Sequence, residues 1–131
     1  MNIRLLLIPV LLFTLAFKPK PASGPQMSFK ETKHNFGFLR QGEVVKHSFV
    51  FTNTGSSPLV ITKADVQCEC TKVEFPKKPV MPNAKDSIVV TFDSKSTIDR
   101  QERTVTVSSN ALNNPVLLTF KAVVLKPKNK K

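Results

Sequence analysis

The chain has 131 residues and a formal charge of +11; its first two dozen residues do not read as folded domain, which leaves roughly 100 to 110, enough for one core and too few for two domains. Setting aside Arg4, Lys18 and Lys20 near the start and Lys126, Lys128, Lys130 and Lys131 in the tail leaves 13 basic against 9 acidic residues, a balance too mild to argue for nucleic acid. Ten Phe with no Trp and no Tyr supply core aromatics without a polar handle, and speak against a stacking platform for sugars or bases.

Met1 to Phe17 has the form of an export signal. Arg4 is the positive start, and Leu5 to Phe17 is an apolar run of 13 residues, short of the ~20 needed to span a bilayer. Thr14-Leu15-Ala16 fits the small-residue cleavage pattern, and a cut after Ala22 is the other option. An uncleaved anchor is the minor alternative. No Cys follows the run, which excludes a lipoprotein anchor. Pro19 to Pro25 reads as an extended linker without core-forming residues, so residues 1–24 are assigned to signal and linker.

From Met27 the pattern becomes that of short strands. Phe36 and Phe38 lie two apart and are expected on one face, with Gly37 marking a bulge or a close backbone approach. Arg40 to Glu43 is a turn. Val45, His47, Phe49 and Phe51 then alternate with polar or outward residues, the period of a half-buried strand. Asn53-Thr54-Gly55-Ser56-Ser57-Pro58 is the strongest turn signal in the chain, and Leu59 to Thr62 opens the next strand, so Val45 to Ile61 reads as a hairpin. Cys68 to Pro82 carries three prolines and reads as a loop or edge segment. After a turn at Pro82 to Asp86, Ile88, Val90 and Phe92 alternate. A polar connection is expected over Asp93 to Gln101. Val105 and Val107 alternate next, Asn110 to Asn114 turns the chain, and Val116, Leu118, Phe120, Ala122 and Val124 form the last inward face. Residues 126–131 are a basic tail, read as solvated. About seven short strands, evenly spaced turns and no helical period predict an all-β, immunoglobulin-like sandwich over residues 27–125.

Several segments resemble a bacterial family, domain-of-unknown-function family 1573, whose members are similar to the immunoglobulin-like domains of the major-sperm-protein and ASH groups. They are His34-Asn35-Phe36-Gly37, Gly42 to Phe49, Phe51 to Gly55, Pro58 to Ile61, Cys68 to Thr71, Pro82 to Lys85, Val89 to Ser94 and Val105 to Asn110. The run spans about Phe29 to Val124. The resemblance implies an exported sandwich of Bacteroidetes-type envelopes, and no established activity. Family members carry Cys-Gly-Cys-Thr where this chain has Glu69 in the middle. A positive-φ turn there would be strained by Glu69.

Cys68 and Cys70 are the only cysteines, and the one place where the sequence suggests chemistry. In extended backbone they point to one face, where two thiols could bind Cu(I), or Zn²⁺ with further ligands. A disulfide across one residue requires the backbone to bend, and an oxidising compartment favours it wherever geometry permits. Local disulfide, reduced structural thiols, metal pair and redox pair all remain open, with the disulfide favoured over the metal. His47 reads as a half-buried strand histidine, and His34 as exposed. Asp93, Asp99 and Glu102 read as solvated. The four glycines form neither a nucleophile elbow nor a phosphate loop. The expectation is an exported, non-catalytic interaction or structural module of the cell envelope, periplasmic or extracellular. It would meet an unknown protein partner through a sheet edge, with no cofactor, no nucleic acid and no stable span once the signal is cleaved. The alternative is a metal- or thiol-handling envelope protein that uses Cys68 and Cys70.

Overall fold

The computed structural model describes residues 16–17 and 23–129. Most of the expected export signal and the linker over 18–22 lie outside the described residues. Eight strands form: β1 (Met27–Phe29), β2 (Lys33–Arg40), β3 (Val44–Asn53), β4 (Ile61–Asp65), β5 (Thr71–Glu74), β6 (Lys85–Asp93), β7 (Asp99–Ser109) and β8 (Val116–Leu125). They make two four-stranded sheets, ordered β1-β3-β6-β5 and β2-β8-β7-β4. β2 and β8 run parallel; the other pairs run antiparallel. Among the described residues no helix is long and apolar enough to cross a membrane.

The period of two sets the core. Phe49 and Phe51 of β3 and Ile88, Val90 and Phe92 of β6 face Val105 and Val107 of β7 and Leu118, Phe120, Ala122 and Val124 of β8, all 1% exposed or less. Phe92 and Phe120 meet across the sheets with ring centroids 5.3 Å apart. Each large side chain so buried stabilises by ~1.5–3 kcal/mol relative to exposure, so this interface is the main source of stability.

Four local expectations are revised. Gly37, at φ 74°, sits where the β2–β8 register slips between Asn35 and Phe38. The extra residue reverses the alternation: Phe36 packs on the core, Leu39 is 4% exposed, and Phe38 is 75% exposed. Phe36 and Phe38 therefore do not share a face. Val45 to Ile61 is not a hairpin either, because β3 and β4 lie in different sheets and the segment between them crosses the sandwich. The polar connection after β6 is shorter than expected, since β7 starts at Asp99. Finally, the domain begins before Met27. Pro25 is buried, and Ser56 N donates to Gly24 O at 2.9 Å, Leu112 N to Pro25 O at 2.8 Å and Thr54 N to Gln26 O at 2.9 Å. The backbone of Gly24 to Gln26 lies so close to Gly55 that a Cβ there would come within 2.5 Å of Gln26 N and nearer still to Gly24 O. Close approach, rather than positive φ, requires glycine at Gly55. The last described residues, Lys126 to Asn129, carry no regular structure.

Candidate functional site

The sandwich has two open rims. At one, β4 ends its sheet opposite β5, and Val66 to Cys70 carries the chain between them. The segment bends: Thr71 N donates to Cys68 O at 3.3 Å, and Asp93 N of β6 donates to Cys70 O at 2.9 Å. Gln67 Oε1 accepts from Thr104 N of β7 at 3.0 Å, so the crossover is tied to both sheets. This bend brings the Cα atoms of Cys68 and Cys70 to 5.2 Å, and the two sulfurs are joined in a disulfide. That separation lies within the ordinary disulfide range. Both cysteines are half-buried and Glu69 between them is exposed. Among the described non-glycine residues positive φ occurs at Asn83 and Asp99, so Glu69 is not strained in the way a left-handed turn would impose. A soft-metal pair at these sulfurs would need both thiolates, hence the reduced protein. Asp93, Lys95 and Arg103 border a shallow hollow beside the disulfide.

At the opposite rim the structure assembles a cluster that the sequence does not reveal. β1 is three residues long and pairs only with Phe51 to Asn53, extended by one bond from Lys30 N to Val50 O at 3.0 Å. From there towards Val44, β3 borders the open rim, and across it β2 is the edge of the second sheet. His47 projects inward from β3 in the row of Phe49, and His34 projects inward from β2 in the row of Phe36. The two imidazoles stack at 3.5 Å between centroids with 9° between their planes. His34 meets Phe36 edge-on at 4.7 Å, and His47 meets Phe49 likewise at 4.7 Å. Glu31, on the short crossover from β1 to β2, places Oε1 2.6 Å from His47 Nε2. The side chains of His47 and Glu31 are 19% and 48% exposed. One ligating atom from each of Glu31, His34 and His47 lies within 4.8 Å of the others.

His34 is thus half-buried within a strand rather than exposed. Its pKa falls below the ordinary 6.5, first because burial penalises the imidazolium and then because His47 lies beside it, with Glu31 opposing both. At neutral pH His34 therefore keeps its lone pair. Asp93, Asp99 and Glu102, read as solvated, are exposed; Asp93 Oδ1 accepts from Lys95 N at 2.9 Å, and Glu102 pairs loosely with Lys121 at 3.9 Å.

Two four-stranded sheets with a parallel β2–β8 pair and crossovers at both rims define an immunoglobulin-like β-sandwich. More specifically, the model of a family described as protein of unknown function, DUF1573, matches residues 27–124, and the chain belongs to that family. Among curated proteins none matches. A crystal structure of a protein of unknown function from Porphyromonas gingivalis is similar at a TM-score of 0.70 and 16% identity, over 79% of this chain and 49% of that one; the chain spans about half the length of that relative. The seventh PapD-like (ASH) domain of human CEP192 is similar at 0.63 and 9% identity, over 88% of this chain and 98% of that one. The secreted serine protease VesC of Vibrio cholerae is similar at 0.59 and 13% identity, over 76% of this chain and 23% of that one. At such identities the likeness is one of fold.

Proposed function

We propose that this chain is an exported, non-catalytic interaction module of the cell envelope, periplasmic or extracellular, which accepts an extended strand of a protein partner along the free edge of β2. The observation that carries the proposal is the state of that edge. β2 is eight residues long, pairs with β8 on one side only, and presents Phe38 at 75% exposure. An unpaired edge offers main-chain donors and acceptors to an added strand, and an exposed aromatic gives that strand a side-chain anchor. Register sets Phe38 beside Val123, two residues from Leu125, which is itself 46% exposed, so the apolar anchor extends onto the outer face of the sheet. Export is supported by the apolar N-terminal segment and by a disulfide, a bond that persists in oxidising compartments.

The test uses full-length protein in the source bacterium with a photo-crosslinker at Asn35 on β2, and separately at Lys72 on β5. The expected result is cross-linking to an envelope protein from Asn35 and not from Lys72, abolished by Phe38→Lys. Equal products from both edges, or products that survive Phe38→Lys, would overturn the edge assignment. Retention of the chain in the cytoplasmic fraction would overturn export.

A further inference from the structure

We propose that Glu31, His34 and His47 form a binding site for one divalent transition-metal ion of the zinc class, set across the rim between the two sheets. Two imidazoles and one carboxylate are the donor set that suits Zn²⁺, Co²⁺, Ni²⁺ or Cu²⁺ rather than Ca²⁺ or Mg²⁺, which prefer oxygen alone. The three donors come from three separate pieces of chain: the β1–β2 crossover, β2 and β3. Each is fixed by a different part of the fold.

The distances fit with small adjustments. Two ligands at ~2.0–2.1 Å from a tetrahedral ion lie about 3.3 Å apart. Glu31 Oε1 and His47 Nε2 are 2.6 Å apart, and the donor atoms of all three residues lie within 4.8 Å of one another. The largest correction is therefore about 1.5 Å, within reach of side-chain rotation. The stack itself must open. An ion bound in the plane of each ring cannot lie in both planes of a stack whose centroids are 3.5 Å apart and whose planes differ by 9°, so one imidazole rotates as the ion enters. The exposed side of the cluster, where Glu31 is 48% exposed, leaves room for that rotation and for water at the fourth position. Phe36 and Phe49 wall the inner side. The cluster is separate from the disulfide, which lies on the opposite rim, so the two are independent in experiment.

Isothermal titration of the full chain with Zn²⁺ alone, without reductant, tests the proposal, and Co²⁺ supplies a visible spectrum. The expected result is one ion per chain, a d–d spectrum of nitrogen and oxygen ligands without a thiolate charge-transfer band, and broadening or shifts of the two imidazole proton signals. His34→Gln or His47→Gln lowers affinity at least tenfold, Glu31→Gln by a smaller factor, and Cys68→Ser with Cys70→Ser leaves it unchanged. Circular dichroism confirms folding of each variant. Because Glu31 is exposed on a crossover, Glu31→Gln keeps the test decisive if a histidine variant fails to fold. No bound ion, binding that survives in the doubly substituted histidine chain, or binding lost with the cysteines would overturn the site.

Discussion

At the scale of single residues, Asn53 governs more structure than its place in a turn motif suggests. It is fully buried. Oδ1 accepts from Gln26 N at 3.2 Å and Gly55 N at 3.0 Å, while Nδ2 donates to Ser57 O at 2.8 Å and Val80 O at 2.9 Å. A primary amide has the two donors and the acceptor capacity for this arrangement; a carboxylate has no donors. Asn53→Ala removes these four hydrogen bonds and leaves Gln26 N, Gly55 N and Ser57 O short of a partner, while Val80 O keeps its bond from Leu59 N; at ~0.5–1.5 kcal/mol per hydrogen bond it should cost about 2–6 kcal/mol in urea unfolding. Asn53→Asp keeps an acceptor for Gln26 N and Gly55 N but sets a buried charge against Ser57 O and Val80 O, so at neutral pH it should be no more stable than Asn53→Ala. Gly55→Ala meets backbone rather than a flexible side chain, so it should destabilise by more than the usual exposed-loop substitution and loosen the docking of Gly24 to Gln26, visible as faster amide exchange at Thr54 and Ser56. His34 adds a dependence on pH. Its folded pKa is lowered below 6.5, so the unfolded chain binds more protons in that window. Stability is complete above the unfolded value and falls as pH drops through it towards the folded value. Denaturation in a chelating buffer between pH 7.5 and 5 should show this slope, and His34→Gln should flatten it. The charged neighbours to weigh are Glu31 and His47.

At the scale of the element, β2 shows both the reach of sequence reading and its limit. Alternation identifies it as a strand, and Gly37 announces a bulge. The direction in which the bulge sends the next residues is not legible, because one inserted residue exchanges the two faces. Here Leu39 enters the core and Phe38 leaves it. Leu39→Ala should therefore cost ~2–4 kcal/mol as a buried truncation, while Phe38→Ala should change stability by less than ~0.5 kcal/mol. Equal effects of the two, measured as denaturant midpoints, would place the bulge elsewhere. The inward faces of β3, β6 and β8 are legible for the same reason that β2 misleads: their alternation has no inserted residue. His47 falls in an inward row beside Phe49, and the sequence carries that much; His34 reads there as exposed, and only the structure places it in the row of Phe36. That the two rows face one another depends on β2 and β3 bordering the same rim of different sheets, a non-local outcome without a local signal. The turn after Asn53 is likewise plain, whereas the crossing from one sheet to the other is not.

At the scale of the whole molecule, the sandwich is held by the burial between its sheets, and the disulfide has a narrower part. The core side chains of β3, β6, β7 and β8 are almost wholly buried, and none of that packing requires the crossover at Val66 to Cys70. The crossover is also tied to β6 and β7 by hydrogen bonds from Asp93 N to Cys70 O and from Thr104 N to Gln67 Oε1. A disulfide across so short a loop removes little freedom from the unfolded chain, about 1.5 kcal/mol in the loop-entropy model against ~3 for a loop of 15 residues. Cys68→Ser with Cys70→Ser should consequently lower the unfolding free energy by no more than ~2 kcal/mol, with the far-ultraviolet spectrum unchanged and faster exchange confined to the crossover and the neighbouring ends of β5 and β6. Loss of folding in that variant would mean that the disulfide holds the rim together against a core too weak to do so. Leu118→Ala offers the comparison, since truncating a fully buried Leu costs ~2–5 kcal/mol. If core burial outweighs the cross-link, that single substitution should destabilise the chain more than removing both sulfurs.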